Sequence, residues 1–345
     1  MGIENLNIKI GKLPSGKNNL ISDVKGIKVG HTTLNDGKIK TGVTALFPHD
    51  GNIFKEKLIC SSYVINGFGK SCGLMQIDEL GTLETPIILT NTLSVGTASN
   101  ALIKYMIKNN EDIGTTTGTV NPVVCECNDG FLNDIRGFHV KEEHIFQALE
   151  NAEVKFQEGS IGAGTGMSCY QLKGGIGSAS RVIKLDEKEY TIGAMVLSNF
   201  GLKKDLIING KKVGEKIITM ENEEQLEKGS IIIILATDIP MSERQLKRIS
   251  KRVPVSLART GSYIGNGSGD VVIAFTTANK IMHYEEKDII NIKIINENKI
   301  DSIFRAVIEA VEESIISSLL HSTATTGRDG NTRESLNKYI DFILK

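Results

Sequence analysis

The pattern of apolar and polar residues along the chain predicts a layered fold of strands and helices. Four short stretches are rich in Ile and Val and are bounded by Gly, Asn, Asp or Ser, as β-strands commonly are. They are ETPIILTNT (84–92), YTIGAMVLSNFG (190–201), SIIIILATD (230–238) and GDVVIAFTTAN (269–279). Because residues 231–235 are apolar without alternation, we expect that strand to be buried on both faces.

Segments in which apolar residues recur with the period of an α-helix lie between these strands and after them. The predicted helices cover 140–156, 241–252 and 301–322. The last carries apolar residues at every fourth position from Ile303 to Leu319, which predicts one broad buried face. The helix over 241–252 opens with Ser242 and Gln245 in capping-box spacing. Mixed strands and helices of this kind predict helices that cover a sheet core.

The most polar internal segment is 202–229, which contains the turn signal Asn209-Gly210. It separates the first two-thirds of the chain from a last third that begins with the buried strand. A natural break in the chain is therefore expected here.

Composition and charge exclude several classes of protein. The chain has 345 residues, of which 40% are apolar, and its formal net charge is −1. This net charge does not favour binding to nucleic acid or to an anionic membrane. The N-terminus has no apolar signal core, and no stretch approaches the roughly 20 apolar residues of a membrane span. We expect a soluble, cytoplasmic protein.

Cysteine usage favours buried thiols over disulfides or a metal site. The five cysteines are an odd number in a long chain. Cys125-x-Cys127 has no second pair at zinc spacing, and His139 and His144 are five residues apart rather than four.

The glycine-rich loops do not match phosphate-binding motifs. VINGFGKS (64–71) ends like a P-loop but has Val64 where Gly is required. GAGTG (162–166) and GGIG (174–177) lack the context of a dinucleotide site, so tight turns are expected there. Nucleotide binding is left as a minor alternative.

Gly229-Ser230 stands at the junction of the polar segment and the buried strand. Gly-Ser occurs five times in the chain, so only this context distinguishes the pair. One interpretation is a polar residue that caps the strand. The other is a nucleophile: the Ser230 hydroxyl attacks the Gly229 carbonyl, the acyl group shifts from N to O, and water releases it. The freed α-amine, with a pKa of about 7.7–8.0, could then serve as base for the adjacent hydroxyl.

A family resemblance decides between these interpretations. It is carried by six segments in order: NNLISDVKGIKVGHTTL (18–34), PVVCECNDGFLNDIRG (122–137), GAGTGMSCYQLKGGIGSASR (162–181), KGSIIIILATDIPM (228–241), LARTGSYIGNGSGDVVIAFTTAN (257–279) and TTGRDGN (325–331). Together they resemble the L-aminopeptidase/D-esterase family, which includes the β-peptidyl aminopeptidases. The similarity spans nearly the whole chain.

The resemblance implies an α+β fold, an αββα four-layer sandwich of the N-terminal-nucleophile type, formed by residues 1–345 as one peptidase domain. It implies self-cleavage between Gly229 and Ser230 into fragments 1–229 and 230–345, with Ser230 as nucleophile. Such enzymes release N-terminal amino acids from peptides, amides or esters that carry a free amino group, without a metal or other cofactor. They assemble as tetramers of processed heterodimers.

The resemblance also assigns residues around the nucleophile. Asn199 in LSNFG matches the residue whose amide stabilises the tetrahedral oxyanion. Ser268 and Asp270 in NGSGD match a hydroxyl and a carboxylate that orient or relay protons; some members have Glu at the latter position, so the shorter side chain here changes its reach. Without the family, Asp270 is typical of a turn before a strand.

Three residues are predicted to contact the substrate. Glu126 and Asn128 in CECND match positions near its free amino group, where a carboxylate pairs with an ammonium. Some members carry Tyr in place of Asn128, so a tyrosine-assisted oxyanion role is not expected. Asn91 in LTNT is a further substrate-binding candidate, and its alternative role is to satisfy backbone groups at a strand end.

Two other functions remain open at this level. Related sandwich folds transfer acyl groups between amino acids, and an acyl-enzyme on Ser230 could be intercepted by an amine. The chain could also be an unprocessed, non-catalytic member that binds small amines.

Overall fold

The computed structural model of the chain describes residues 8–218 and 229–341. Its strands are β1 (Lys28–Asp36), β2 (Ile39–Phe47), β3 (Glu56–Gly67), β4 (Thr82–Leu83), β5 (Ile87–Asn91), β6 (Val123–Cys127), β7 (Ser168–Cys169), β8 (Leu172–Lys173), β9 (Gly175–Leu185), β10 (Lys188–Asn199), β11 (Ile207–Ile208), β12 (Lys211–Lys212), β13 (Ser230–Thr237), β14 (Gly269–Met282), β15 (Thr325–Thr326) and β16 (Thr332–Arg333). Its α-helices are α1 (Leu74–Leu80), α2 (Val95–Asn109), α3 (Glu142–Glu150), α4 (Val213–Ile218), α5 (Glu243–Ser250), α6 (Val253–Arg259) and α7 (Asp301–Leu320).

The strands form two main sheets. One has four strands in the order β1-β2-β5-β6, and the other has six in the order β4-β3-β14-β13-β10-β9. In the larger sheet β13 lies parallel to β14 and antiparallel to β10. The ends of β13, β14 and β10 therefore meet where β13 begins.

Strand β13 separates two hydrophobic cores. Ile232 and Ile234 belong to the core that includes residues of the four-stranded sheet, such as Leu89. Ile231 and Ile233 belong to the core that includes residues of α5, α6 and α7. All eight residues of β13 are buried, as predicted from its unbroken apolar run. Full burial of one such side chain contributes about 1.5–3 kcal/mol, which fixes this strand firmly.

The two cores define four layers. Helices α2 and α3 pack on the outer face of the four-stranded sheet, while α5 and α7 pack on the outer face of the six-stranded sheet. The order is helices, sheet, sheet, helices, so the predicted αββα sandwich is confirmed.

The predicted strands and two of the helices are present. Helix α5 begins with the expected capping box: the Ser242 Oγ accepts from the Gln245 N at 3.3 Å, and the Gln245 Oε1 accepts from the Ser242 N at 3.2 Å. Asn209 and Gly210 have φ values of 49° and 76° and form the turn between β11 and β12.

The helix predicted over 140–156 is shorter than expected and ends at Glu150. Beyond it, the backbone of Glu153 pairs with Val29 at the edge of the four-stranded sheet, through N–H···O bonds of 3.0 and 3.1 Å. Pairing with a distant strand overrides the local helical pattern.

The segment predicted as a polar arm is partly packed against the protein. Leu206, Ile208, Val213 and Ile217 are buried in the core beneath the outer helices. Residues 219–228 lie outside the described part of the chain. None of the helices in residues 8–218 and 229–341 has the length and apolar character needed to cross a bilayer.

The cysteines are free thiols, and all but Cys72 are buried. Four of the five are therefore the small buried thiols that the sequence predicts.

Candidate active site

Ser230 is the first residue of β13 and lies between two partner strands. Its register partners are Asn199 on β10 and Gly269 on β14. The backbone N of Gly269 donates to the Ser230 Oγ at 3.1 Å and also lies 3.3 Å from the carbonyl O of Gly229. One N–H thus contacts both the predicted nucleophile and the carbonyl that it would attack.

Gly229 is closely surrounded. A Cβ at this position would lie 2.2 Å from the carbonyl O of Asn199 and 2.6 Å from the Cα of Phe200. Only glycine fits against the end of β10 without movement of the backbone.

A cavity of about 470 Å³ opens beside Ser230. Its polar wall includes Glu126, Asn128, Ser168, Asn199, Ser230 and Arg333. These residues come from both sheets and from the C-terminal segment, so the cavity lies where the open ends of the two sheets meet.

Asp270 and Ser268 flank the Gly269 donor. The Ser268 Oγ donates to the Asp270 Oδ1 at 2.6 Å, and the same oxygen accepts from the Ile231 N at 3.1 Å. Both side chains are buried. The carboxylate is therefore held against the first peptide units of β13.

The side-chain amide of Asn199 is fixed at both ends. Its Nδ2 donates to the carbonyl O of Asn128 at 3.0 Å, and its Oδ1 accepts from the Ser168 N at 2.8 Å. Since Nδ2 carries two N–H bonds, the amide can also donate to an oxygen bound beside Ser230.

Glu126 is a buried carboxylate in the cavity wall, 2% exposed. Its Oε1 accepts from the Lys70 backbone N at 2.8 Å, and its Oε2 accepts from the Thr92 hydroxyl. No Lys, Arg or His nitrogen pairs with it in residues 8–218 and 229–341. Because its donors are neutral, a ligand cation would find its charge uncompensated.

Asn128 and Asn91 have different surroundings. Asn128 is exposed, lines the cavity, and accepts from the Gly130 N at 2.9 Å in a local turn. Asn91 is buried outside the cavity wall, where its Oδ1 accepts from the Ser94 N at 3.1 Å and its Nδ2 donates to the Thr41 Oγ1 at 2.8 Å. These contacts are those of the strand-end role that the sequence offers as the alternative for Asn91.

Comparison with known proteins shows which family the chain belongs to. The family model for Peptidase family S58 matches residues 19–333. The chain belongs to Peptidase family S58.

Curated relatives and solved structures are similar to this S58 chain over almost its whole length. It is 36% identical to the β-peptidyl aminopeptidase BapA of Sphingosinicella microcystinivorans, over 96% of this chain and 88% of that one. It is 32% identical to BapA of Sphingosinicella xenopeptidilytica, over 90% of this chain and 83% of that one.

Two solved structures have the same fold. A protein from Pyrococcus horikoshii OT3 has a TM-score of 0.95 and 53% identity, with 100% of this chain and 98% of that one covered. The L-aminopeptidase D-Ala-esterase/amidase of Ochrobactrum anthropi, described as a serine aminopeptidase and a variant of the Ntn hydrolase fold, has a TM-score of 0.91 and 32% identity, covering 99% and 97%. The S58 chain is thus a hydrolase of the aminopeptidase class with an N-terminal-nucleophile fold, as the resemblance implied.

Sequence reasoning missed several residues of the S58 cavity. Thr92, which contacts Glu126, directly follows Asn91 in LTNT, and Ser168 lies within the quoted segment 162–181. Phe131 and Arg333 also line the cavity, with the Arg333 guanidinium carbon 3.6 Å from the Phe131 ring centroid. Arg333 lies two residues beyond TTGRDGN, the last of the six segments that carry the family resemblance. Its nearness to that segment was the only sign in the sequence that it could belong to the site.

Two ionisable groups are buried in segments next to the cavity. Burial raises the pKa of Asp129 to about 7, although Asn133 donates to its Oδ1 at 3.0 Å. Burial lowers the pKa of Lys173 to about 7; its Nζ donates to the carbonyl groups of Gly164 and Gly174 at 2.9 and 2.6 Å. Both groups therefore titrate near neutral pH.

Metal ligands are not grouped in the described part of the chain. Residues 8–218 and 229–341 contain no set of three or more His, Cys, Asp or Glu side chains that could hold an ion.

Proposed function

We propose that this S58 chain is a self-processing serine aminopeptidase in which Ser230 is the nucleophile. It cleaves its own Gly229–Ser230 bond and then releases N-terminal residues from peptides, amides or esters. The observation that carries the proposal is the position of Ser230: at the start of a buried strand, beside the Gly269 donor and in one cavity with the Glu126 carboxylate.

The contacts around Gly229 support self-cleavage. Attack of the Ser230 Oγ on the Gly229 carbonyl carbon places negative charge on the carbonyl oxygen, 3.3 Å from the Gly269 N. The C–N bond then breaks, the Ser230 nitrogen takes a proton, and an ester joins Gly229 to Ser230. Water hydrolyses that ester to give fragments 1–229 and 230–345, which stay together as one domain.

Turnover uses the same atoms with an external substrate. Glu126 binds the substrate ammonium, which places the next carbonyl at Ser230. The freed α-amine of Ser230 accepts the hydroxyl proton as Oγ attacks, and the Asn199 amide donates to the oxyanion. The leaving amine or alcohol departs with a proton, and water then hydrolyses the acyl-enzyme.

Ser268 and Asp270 position this machinery. The Asp270 Oδ1 accepts from Ser268 and from the backbone N of Ile231. It therefore fixes the peptide that follows the nucleophile and offers a route for protons at the strand end. Asn128 borders the subsite for the substrate amino group.

The proposal extends to assembly and location. The chain works as a homo-oligomer, a tetramer of processed heterodimers, in the cytoplasm. The whole-chain family resemblance supports the assembly, and free, mostly buried thiols fit a reducing compartment. Light scattering on the purified, processed protein measures the assembly, and a monomeric mass would contradict it.

Denaturing electrophoresis with N-terminal sequencing tests the central claim. The wild type should give two fragments, the smaller beginning at Ser230, and should hydrolyse aminoacyl p-nitroanilides. Ser230→Ala should remain one chain and be inactive. Ser262→Ala, which changes another Gly-Ser pair outside the cavity wall, is the matched control and should be cut normally.

Three outcomes would contradict the proposal. An active Ser230→Ala variant would exclude the nucleophile. An intact wild type that binds amines but hydrolyses no aminoacyl substrate would favour the non-catalytic alternative, whereas acyl-enzyme captured by added amine rather than water would favour acyl transfer.

A further inference from the structure

Arg333 places a fixed positive charge on the wall of the Ser230 cavity. It is half-buried at the end of β16 and lines the same cavity as Ser230 and Glu126. Its Nε donates to the Ser168 Oγ at 3.2 Å, and its guanidinium carbon lies 3.6 Å from the Phe131 ring centroid. A hydrogen bond and ring stacking together restrict the orientation of this guanidinium.

The hydrogen bonds of Asn199 connect the segment that contains Glu126 to the residue that holds Arg333. The Asn199 Nδ2 contacts the carbonyl of Asn128, two residues after Glu126, whereas its Oδ1 contacts the N of Ser168, the residue that holds Arg333. Asn199 therefore contacts both the Glu126 segment and the residue that holds Arg333, and Asn199, Glu126 and Arg333 line one cavity. A carbonyl bound at Asn199 would share that cavity with the Glu126 carboxylate and the Arg333 guanidinium.

The remaining charged side chain in the described cavity wall belongs to the Glu126 end. The Lys70 backbone N contacts Glu126, while its Nζ donates to the Phe68 carbonyl at 3.0 Å and lies 4.6 Å from the Phe68 ring centroid. The described cavity wall therefore offers one carboxylate, Glu126, and one guanidinium, Arg333, to a ligand with charges of both signs.

We propose that Arg333 binds the free C-terminal carboxylate of the substrate, so that short unblocked peptides, dipeptides above all, are preferred over amides and esters of the same residue. This rests on the proposed aminopeptidase function and names its substrate class. A guanidinium matches the geometry of a carboxylate and can donate to both of its oxygens. A cavity of about 470 Å³ suits a small ligand with charges at both ends.

The test compares an unblocked dipeptide with its C-terminal amide, using an N-terminal residue that the wild type accepts. For the wild type we expect kcat/KM to be about 10- to 100-fold higher for the free acid, the range of one charge-assisted hydrogen bond. The difference should appear mainly in KM, since the carboxylate charge does not change during the reaction.

Two substitutions assign that preference to Arg333. Arg333→Met should lose the preference for the free acid while it still hydrolyses the amide, which shows that the variant is folded and processed. Arg333→Lys should restore part of it, because a lysine keeps the charge without the planar fork.

Lys338→Met is the control for charge. Lys338 belongs to the same C-terminal segment, is paired with Glu334 at 3.1 Å, and does not line the cavity. This variant should keep the wild-type preference for the free acid.

Several results would overturn the inference. Equal kcat/KM for acid and amide in the wild type, or a preference that survives in Arg333→Met, would exclude the carboxylate contact. So would an Arg333→Met variant that loses only substrates with an acidic N-terminal side chain, since the carboxylate would then belong to the acyl part. A wild type inert on both dipeptide and amide would overturn the proposed function as well, which distinguishes the two failures.

Discussion

The backbone N–H of Gly269 donates to the Oγ of Ser230 at 3.1 Å. These residues are register partners on the parallel strands β13 and β14, so the contact depends on the alignment of two strand ends rather than on a mobile loop. A donor at this position can stabilise negative charge on the attacking oxygen or on the adjacent Gly229 carbonyl. Processing and turnover would thus share one preorganised group.

Replacement of Asn199 should reduce the chemical step more than substrate binding. Asn199→Asp keeps an acceptor for the Ser168 N but removes the N–H donors, so we expect kcat to fall about 100- to 1000-fold. Kinetics on the processed fraction, quantified by electrophoresis, measure this. A kcat within threefold of the wild type would exclude Asn199 as an oxyanion donor.

Glu126→Gln should weaken recognition of the substrate amino group and leave self-cleavage intact. The amide oxygen can still accept from the Lys70 N, but the negative charge is lost. We expect kcat/KM to fall about 10- to 100-fold, corresponding to a charged hydrogen bond of about 1.5–3 kcal/mol. The control is an N-acetylated substrate, which has no ammonium group, so the substitution should hardly change its kcat/KM. An equal fall in kcat/KM for both substrates would argue for a structural role of Glu126.

Ser268 and Asp270 should act as a unit. Ser268→Ala and Asp270→Asn each disturb the 2.6 Å hydrogen bond between them, so the double variant should lose little more activity than the more damaging single variant. The rates of self-cleavage and of turnover are measured for the wild type, the two single variants and the double variant. Additive losses would mean that the two side chains work independently.

Stability should depend on pH through Glu158. Burial raises the pKa of this carboxyl to about 7, against hydrogen bonds from Ser317 and Ser178 that lower it. Between its ordinary pKa and 7, the folded state holds a proton that the unfolded state has released, so the free energy of unfolding should fall as pH rises through that window.

Glu158→Gln should remove this dependence. The amide oxygen can accept from the Ser178 N and the Ser317 Oγ, which contact Glu158 at 2.6 and 2.7 Å. We expect the variant to be more stable than the wild type at pH 8, by at most about 3 kcal/mol, and equal to it near pH 4. Denaturant unfolding of both proteins at pH 4 and pH 8 measures these free energies. If the variant and the wild type differ by the same amount at both pH values, titration of Glu158 is not the cause.

Short sequence patterns correctly predicted the structural elements that depend on neighbouring residues. The Ser242–Gln245 capping box and the Asn209-Gly210 turn are present because the interactions that form them lie within a few residues. The burial of β13 follows from its unbroken apolar run, which can pack on both faces. The helix predicted over 140–156 was too long because Glu153, in its second half, pairs with Val29, which the local sequence does not reveal.

The residues that line the cavity were harder to predict, since side chains adjacent in sequence face different surroundings. Asn91 was singled out in LTNT, yet Thr92 is the residue that contacts Glu126, while the Asn91 side chain binds Thr41 and Ser94. Strand β5 ends at Asn91 and a turn follows it. Which of the two adjacent side chains reaches the cavity depends on where the strand ends and on the conformation of that turn.

The sequence by itself determined the layered fold, the family and the place of Ser230 before a buried strand, because these depend on periodicity and on motifs contiguous in the chain. Tertiary structure alone decided that the Gly269 N–H lies beside Ser230, that Asn199 is held between Asn128 and Ser168, and that Arg333 shares a cavity with Glu126. Those relationships join residues far apart in the chain. They arise only when the two sheets pack and their open ends meet.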